Sequence, residues 1–326
     1  MELSRQEFRD MQRQQLASEG AIVDALKHVK YKIAVLSGKG GVGKTAATVN
    51  LAAALQNDGS KVGVFDADLH GPSVPKMLGI KKEAPLDGAF WLNPVVTESG
   101  VRALSVALFW PGDMTPVMWR GQTKSRTIRQ LLSAAKWGGL DFLLVDLPPG
   151  TGDEPIAILK SIPDLDGVII LTTPQEVSTF VCSKAINASL SLGAKVLGLV
   201  ENMSMYTCRQ CGDTVYLFGK DKGRELARTM DIPFLGSIPI DPLFSEAADT
   251  GVPVVNLHPQ SLTAQSFTQL ARTLREQLPP KEVPEAPPEE HRACPGSGHH
   301  HHGHGHGECG HHHHHSHGPG GESSEK

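Results

Sequence analysis

Residues 37–45, SGKGGVGKT, follow the apolar run Ile33–Leu36 and open a helical pattern over Ala46–Leu55. Strand, glycine-rich loop, Lys-Thr and helix, in that order, form the arrangement of a phosphate-binding loop. The glycines Gly38, Gly40, Gly41 and Gly43 let backbone N–H groups, that of Val42 among them, curl around a polyphosphate. The helix that follows adds the positive end of its dipole. In this pattern Lys44 reaches the β- and γ-phosphates and Thr45 holds Mg²⁺. Lys39 is a second lysine inside the loop, where an ordinary nucleotide-binding loop needs none.

The rest of the chain supplies a fold for such a loop. Short apolar segments rich in Val, Ile and Leu occur at Lys32–Leu36, Val62–Asp66, Phe142–Asp146, Gly167–Thr172, Val196–Val200 and Phe234–Ile238, separated by helical stretches. Strands of that kind are buried on both faces. They predict an α/β fold, a mostly parallel twisted sheet with helices on both faces. Residues 89–107 read as an inserted β-ribbon before a helix at about 121–136. The domain organisation expected is a polar helical leader over 1–29, a nucleotide-binding domain over 30–278, a Pro/Glu linker over 279–290 and a disordered His/Gly-rich tail over 291–326. The helix at about 261–278 puts Leu262, Phe267, Leu270, Leu274 and Leu278 on one face. That face suits core packing, and its rival reading is a membrane-surface anchor.

Two apolar strands end in aspartate. One runs into Asp66-Ala67-Asp68, the other into Asp146 and the segment LPPGTGD. A strand-terminal carboxylate sits beside Mg²⁺ in a nucleotide site, and in an open α/β sheet such strand ends line one crevice. ATP is expected over GTP, because the chain lacks the Asn-Lys-x-Asp segment with which Ras-like GTPases read guanine. Asn202, placed just after the fifth strand, is the candidate to read adenine.

Cys208 and Cys211 form one C-x-x-C at the end of the fifth strand. Two thiolates are half of what a tetrahedral zinc site or a 4Fe–4S cluster takes. Two protomers related by a two-fold axis would supply four. From the residues alone a redox pair, a zinc bridge, a cluster and two ordinary loop cysteines all stay open. Cys182 lies in a helical pattern and reads as a small buried hydrophobe.

Ser37–Thr45, Asp66–Asp68 and Asp146–Asp153 together resemble the deviant Walker ATPases, the group of MinD, ParA and the arsenite pump ATPase. The resemblance implies an ATP-bound sandwich homodimer in which Lys39 reaches the phosphates of the other subunit. It implies Asp68 as the residue that orients the attacking water, with Asp66 and Asp146 around Mg²⁺. Lys39, Lys44 and Asp68 are thus the catalytic candidates. With Val200–Ser204 (VENMS), the C-x-x-C, Pro116–Gly121 and Gly236–Asp241 added, the chain resembles the Mrp/ApbC family of iron–sulfur carriers over residues 30–278. That resemblance implies a labile 4Fe–4S cluster bridged between subunits by Cys208 and Cys211, and delivery to apo iron–sulfur proteins from an assembly scaffold.

Charge and composition narrow the partners. Net charge is −4, so no global basic field favours nucleic acid. No apolar run is long enough to span a bilayer, and the start, MELSRQEFRDMQRQQ, has no signal-peptide core. A cytoplasmic protein is expected, one that engages neither nucleic acid nor membrane. Thirteen of the 16 histidines fall in 291–326, with Cys294 and Cys309 among them. The runs are interrupted by glycine and continue to PGGESSEK, unlike a purification tag. Such tracts bind Ni²⁺ or Zn²⁺ without a fixed fold. A positioning ATPase of the MinD/ParA kind and a nickel or zinc metallochaperone are the alternative functions.

Overall fold

The structure, a computed structural model, describes residues 19–69, 71–81, 86–87, 91–109 and 121–287. Residues 1–18 of the expected leader, 116–120 of the family-like segment Pro116–Gly121, and the tail with Cys294 and Cys309 lie outside the described residues.

The main strands are β1 (Val29–Ser37), β2 (Val62–Asp66), β3 (Arg102–Ser105), β4 (Leu140–Asp146), β5 (Gly167–Thr172), β6 (Val196–Thr207) and β7 (Phe234–Ile240). They lie side by side in the order β7-β6-β5-β1-β4-β2-β3, every neighbouring pair parallel. The helices between them are α1 (Lys44–Asn57), α2 (Gly121–Ala134), α3 (Asp153–Ser161), α4 (Glu176–Ser191), α5 (Lys222–Thr229), α6 (Pro242–Thr250) and α7 (Leu262–Gln277).

Alternation along each strand sends side chains to two cores. Ile33, Val35, Val64 and Leu144 face the layer built by α1 and α7. Ala34, Leu36, Phe65, Leu143 and Val145 face the layer that includes Ile128, Ile158 and Ile186 of α2, α3 and α4. Both faces are apolar because both are covered, which is why the strands read as continuous apolar runs.

Helix α1 is buried along most of its length by small residues, Ala47 and Ala52–Ala54 among them, which lets it lie close to the sheet. Helix α7 buries Phe267, Leu270, Ala271 and Leu274 against the same core, and Ser261 caps it by accepting the Ala264 N–H. Of the apolar face expected here, Phe267, Leu270, Leu274 and Leu278 are buried in the domain, while Leu262 at the start of the helix is exposed. Among the described residues no helix is long and apolar enough to cross a membrane.

Four expectations shift. Residues 19–26 are helical and bury Ile22 and Leu26, so this end of the leader packs on the core, and β1 begins at Val29. Of the ribbon expected at 89–107, Trp91–Leu92 pairs antiparallel with Leu86–Asp87 in a separate two-stranded sheet, whereas β3 pairs parallel with β2 and extends the main sheet, with Val95–Val96 folded back antiparallel on β3. Strand β6 runs seven residues beyond Val200, to Thr207. Residues 279–287 have no regular structure yet lie along the domain. The Tyr31 hydroxyl donates to the Pro279 carbonyl at 2.8 Å, and Lys281 pairs with Asp166 at 2.9 Å. His28 Nδ1 lies 2.9 Å from the Pro284 carbonyl oxygen.

Candidate functional site: a phosphate loop and a cysteine hairpin

Parallel strands place their C-terminal ends together. Here those ends carry Ser37, Asp66, Asp146 and Thr172, all buried. Between β1 and α1 the loop turns through Gly41 at φ 79° and Gly43 at φ 82°, left-handed values that glycine adopts without strain. Gly38 serves a different need. A Cβ there would lie 2.7–2.8 Å from backbone atoms of Val181 and Cys182, so its lack of a side chain lets α4 press against the loop.

Lys44 opens α1 and is 6% exposed; its Nζ lies 2.7 Å from Asp146 Oδ1. The contact is an ion pair that falls outside hydrogen-bond geometry, and the ammonium has no hydrogen-bond acceptor among the described residues. A buried ammonium paired with one carboxylate, its other N–H groups unused at the head of a glycine loop, suits a phosphate oxygen. Asp146 also accepts from Thr45 Oγ1 at 2.6 Å and Thr48 Oγ1 at 2.9 Å. Asp66 is its register partner across β2 and β4. It accepts from Ser105 Oγ at 3.0 Å and from the N–H groups of Asp68 and Val74.

Two buried carboxylates thus share one buried ammonium. Burial first, and the charge of Asp146 second, push the Asp66 carboxyl up to about 8; Ser105, the Asp68 N–H and Lys44 oppose the rise. A divalent cation here would take over the role of that proton, so the donor set fits Mg²⁺. Asp68 lies two residues beyond β2, half-buried, and accepts from the Gly71 N–H at 3.3 Å.

Lys39 is half-buried and donates to Gln175 Oε1 at 2.9 Å, the residue that precedes α4. Asn202 lies within β6 rather than after it, is 2% exposed, and donates through Nδ2 to the Val42 carbonyl of the loop at 2.8 Å. Its amide nitrogen also fills the space that a Cβ on Gly43 would occupy. The next residue, Met203, has φ 57°, a backbone twist inside the strand. Glu201 is buried against α5, where it accepts the Gly223 N–H; burial raises its carboxyl above the usual range.

Six residues past Asn202 the same strand delivers Cys208. Residues 208–213 form a tight turn closed by Cys208 N–H to Asp213 O and Gly212 N–H to Cys208 O, and Thr214–Val215 pairs back on β6. The backbone N–H groups of Cys211 and Gln210 hold the Cys208 thiol below its usual range, and the Cys211 side chain adds to this. A hairpin that favours thiolate through N–H donors is built for a metal ligand or a nucleophile. Cys211 is exposed, with Sγ 3.3 Å from Asp213 Oδ2. Among the described residues no cluster of three or more His, Cys, Asp or Glu could hold a metal ion. Cys182 is buried in α4 and its thiol is pushed up to about 12, which leaves it an inert core side chain.

Sequence reading missed three supports of the site. Thr48 had a signal, since it lies one helical turn after Lys44 on the same face. Ser105 and Gln175 had none, because each reaches the site through strand register or helix placement.

Loop, buried Lys44 and strand-end aspartates on a parallel sheet define a P-loop nucleoside triphosphatase, with Lys39 as the extra lysine of the deviant kind. Comparison with known proteins sharpens this. Residues 28–275 match the family model of the NUBPL iron-transfer P-loop NTPases, and the chain belongs to that family. The iron-sulfur cluster carrier protein of Methanocaldococcus jannaschii is 46% identical over 264 residues, 81% of this chain and 90% of that protein. The carrier protein of Saccharolobus solfataricus is 45% identical, over 76% of this chain and 83% of its own. Among solved structures, a nucleotide-binding protein of Archaeoglobus fulgidus in complex with ADP superposes with TM-score 0.63 at 38% identity, over 72% of this chain and 91% of its own. The cell-division ATPase MinD of Pyrococcus furiosus shares the fold, with TM-score 0.55 at 24% identity over 76% of this chain and 98% of its own.

Proposed function

We propose that this chain is an ATP-hydrolysing carrier that holds a labile 4Fe–4S cluster between two copies of itself and delivers it to apo iron–sulfur proteins. The observation that carries this reading is strand β6. Its Asn202 is bonded to the phosphate loop at Val42, and six residues on it presents Cys208, whose thiolate the hairpin favours. At about 3.3 Å per residue the two lie roughly 20 Å apart along one strand. A nucleotide that moves the loop therefore pulls on the strand that holds the cluster.

ATP enters with its β- and γ-phosphates in the loop 38–45, where Lys44, paired with Asp146, gains phosphate oxygens as hydrogen-bond acceptors. Mg²⁺, when bound, neutralises phosphate charge, and Thr45, Asp66 and Asp146 are the residues to hold it. Asp68 orients a water in line with the γ-phosphorus. The new P–O bond forms as the bond to the β-phosphate oxygen breaks, leaving ADP and phosphate. Lys39 exchanges Gln175 for the transferring phosphoryl group of the other copy, as an arginine finger does. The Asn202 amide reads adenine through its Oδ1, with its Nδ2 bond to Val42 kept. Cys208 and Cys211 from each copy complete four thiolates. The cluster comes from an assembly scaffold, and the protein works in the cytoplasm without binding nucleic acid or membrane. The tail over 291–326 is a separate module that binds Ni²⁺ or Zn²⁺ through its imidazoles.

Anaerobic reconstitution with iron and sulfide, read by visible spectrum, tests the carrier reading. A brown chromophore is expected, and Cys208→Ala with Cys211→Ala should abolish it while leaving ATP binding intact. A double variant that still holds a full cluster overturns the assignment. For the tail, equal Ni²⁺ and Zn²⁺ stoichiometry with and without residues 291–326 overturns the metal reading.

A further inference from the structure

Beside the cysteine hairpin lies a cavity of about 530 Å³ that the nucleotide chemistry does not use. Cys208 forms part of its wall, with Arg209, Pro239–Leu243 and residues 257–262. Pro242, Pro259, Leu257 and Leu262 make that wall largely apolar, and the two leucines are 37% and 53% exposed. At its polar end Arg209 pairs with Asp241 at 2.7 Å. Arg209 is mostly exposed and Asp241 mostly covered. Asp241 does not depend on that arginine: it accepts the Leu243 N–H at 3.0 Å as the cap of α6, and Thr263 Oγ1 lies 3.4 Å from its other oxygen. Arg209 can therefore turn to another carboxylate without stranding Asp241, and a surface ion pair yields readily to a competing charge.

We propose that this groove is the docking site for the recipient of the cluster: an extended apolar segment of the apo-protein that carries a cysteine beside an acidic residue. The inference rests on the carrier reading above. Transfer is ligand exchange, in which an incoming thiolate bonds to iron as a cysteine of the carrier leaves it; oxidation states do not change, and the leaving thiolate takes up the proton the incoming thiol gave up. The incoming sulfur must reach the cluster at a ligand. Cys208 is the cysteine that lines the groove, so a segment seated there presents its sulfur to that ligand. The acidic neighbour pairs with Arg209, adjacent to Cys208 in the chain. The apolar wall offers a strip for alternate side chains of an extended strand.

The test uses full-length protein reconstituted with cluster and an apo 4Fe–4S ferredoxin as acceptor. Leu257→Ser with Leu262→Asp alters the wall at exposed positions, and an acidic residue suits the first turn of α7. The variant is expected to load cluster and hydrolyse ATP like the wild type but to transfer at least about tenfold more slowly. Wild-type transfer by a loaded variant overturns the groove alone; wild-type protein that loads no cluster overturns the carrier reading and the groove with it. A photo-crosslinker at exposed Gln260 should capture the ferredoxin, while one at exposed Arg272 should not. No crosslink from Gln260 to the ferredoxin overturns the proposal whatever the folding of the double variant.

Discussion

At the ends of β1, β2 and β4 the polar groups are buried or half-buried and already engaged with one another: Lys44 is ion-paired with Asp146, Thr45 and Thr48 donate to the same carboxylate, and Ser105 donates to Asp66. The hairpin after β6 is the reverse, a six-residue turn with Cys211 exposed, in which two backbone amides and the Cys211 side chain favour the Cys208 thiolate. The contrast separates two ways of building a site. The phosphate loop is pre-organised by the fold, and a ligand enters a finished cradle. The cysteine pair has no third metal-ligating side chain clustered with it among the described residues, and in the proposed function a second copy completes it.

Changes in the loop should therefore cost nucleotide binding outright, and changes in the hairpin should spare it. Lys44→Ala removes the one buried cation from two buried carboxylates. Calorimetric titration should find ATP affinity lowered by at least about a hundredfold, since charge-assisted contacts in a dry site are the strong ones. Retained affinity would break the comparison at its strongest point. Cys208→Ser should abolish cluster loading and leave ATP affinity within about twofold of wild type, because a half-buried side chain six residues along the strand from Asn202 contributes little to a distant site. Parallel loss of both would mean that the two regions are one cooperative unit.

The loop's glycines sharpen the contrast further. Gly38→Ala forces a Cβ into the backbone of Val181 and Cys182 and should destabilise the fold by roughly 1–3 kcal/mol in denaturant unfolding. Gly40→Ala meets nothing closer than Pro149 at 3.9 Å and should change stability by less than about 0.5 kcal/mol. Equal effects would mean that α4 gives way.

A smaller effect follows from Asp66. Its carboxyl is raised from 3.8 to about 8 in the fold, so the folded state holds the proton more tightly than the unfolded chain. That contribution to stability is full below about pH 4 and is lost as pH rises through about 8. Nucleotide-free protein should show a melting temperature that falls across this window, and Asp66→Asn should flatten the dependence. A wild-type profile as flat as the variant's would mean that Asp66 is not held protonated.

These two regions were also unequally legible in the chain. The loop, Lys44 and Thr45 could be read because they are contiguous, and Asp66 and Asp146 because each ends an apolar strand. Cys208 and Cys211 stood out by spacing alone, which left their partner ligands open. The length of β6 was hidden, because Glu201, Asn202 and Ser204 interrupt the apolar run and Met203 takes a left-handed conformation inside the strand. The bond from Asn202 to Val42, 160 residues away in sequence, depends on packing that no local pattern records. The same holds for the segment 279–287, whose proline and glutamate content suggests a free linker while Lys281 and the backbone of Pro279 and Pro284 anchor it.

The central claim is that the hairpin is half a site and needs a second copy of the chain. Iron, sulfide and molar mass measured together on anaerobically reconstituted protein test it most directly. The account predicts one 4Fe–4S cluster for every two chains, in a dimer that falls apart when Cys208 and Cys211 are both replaced by alanine. A full cluster on each chain in a monomeric protein would contradict it.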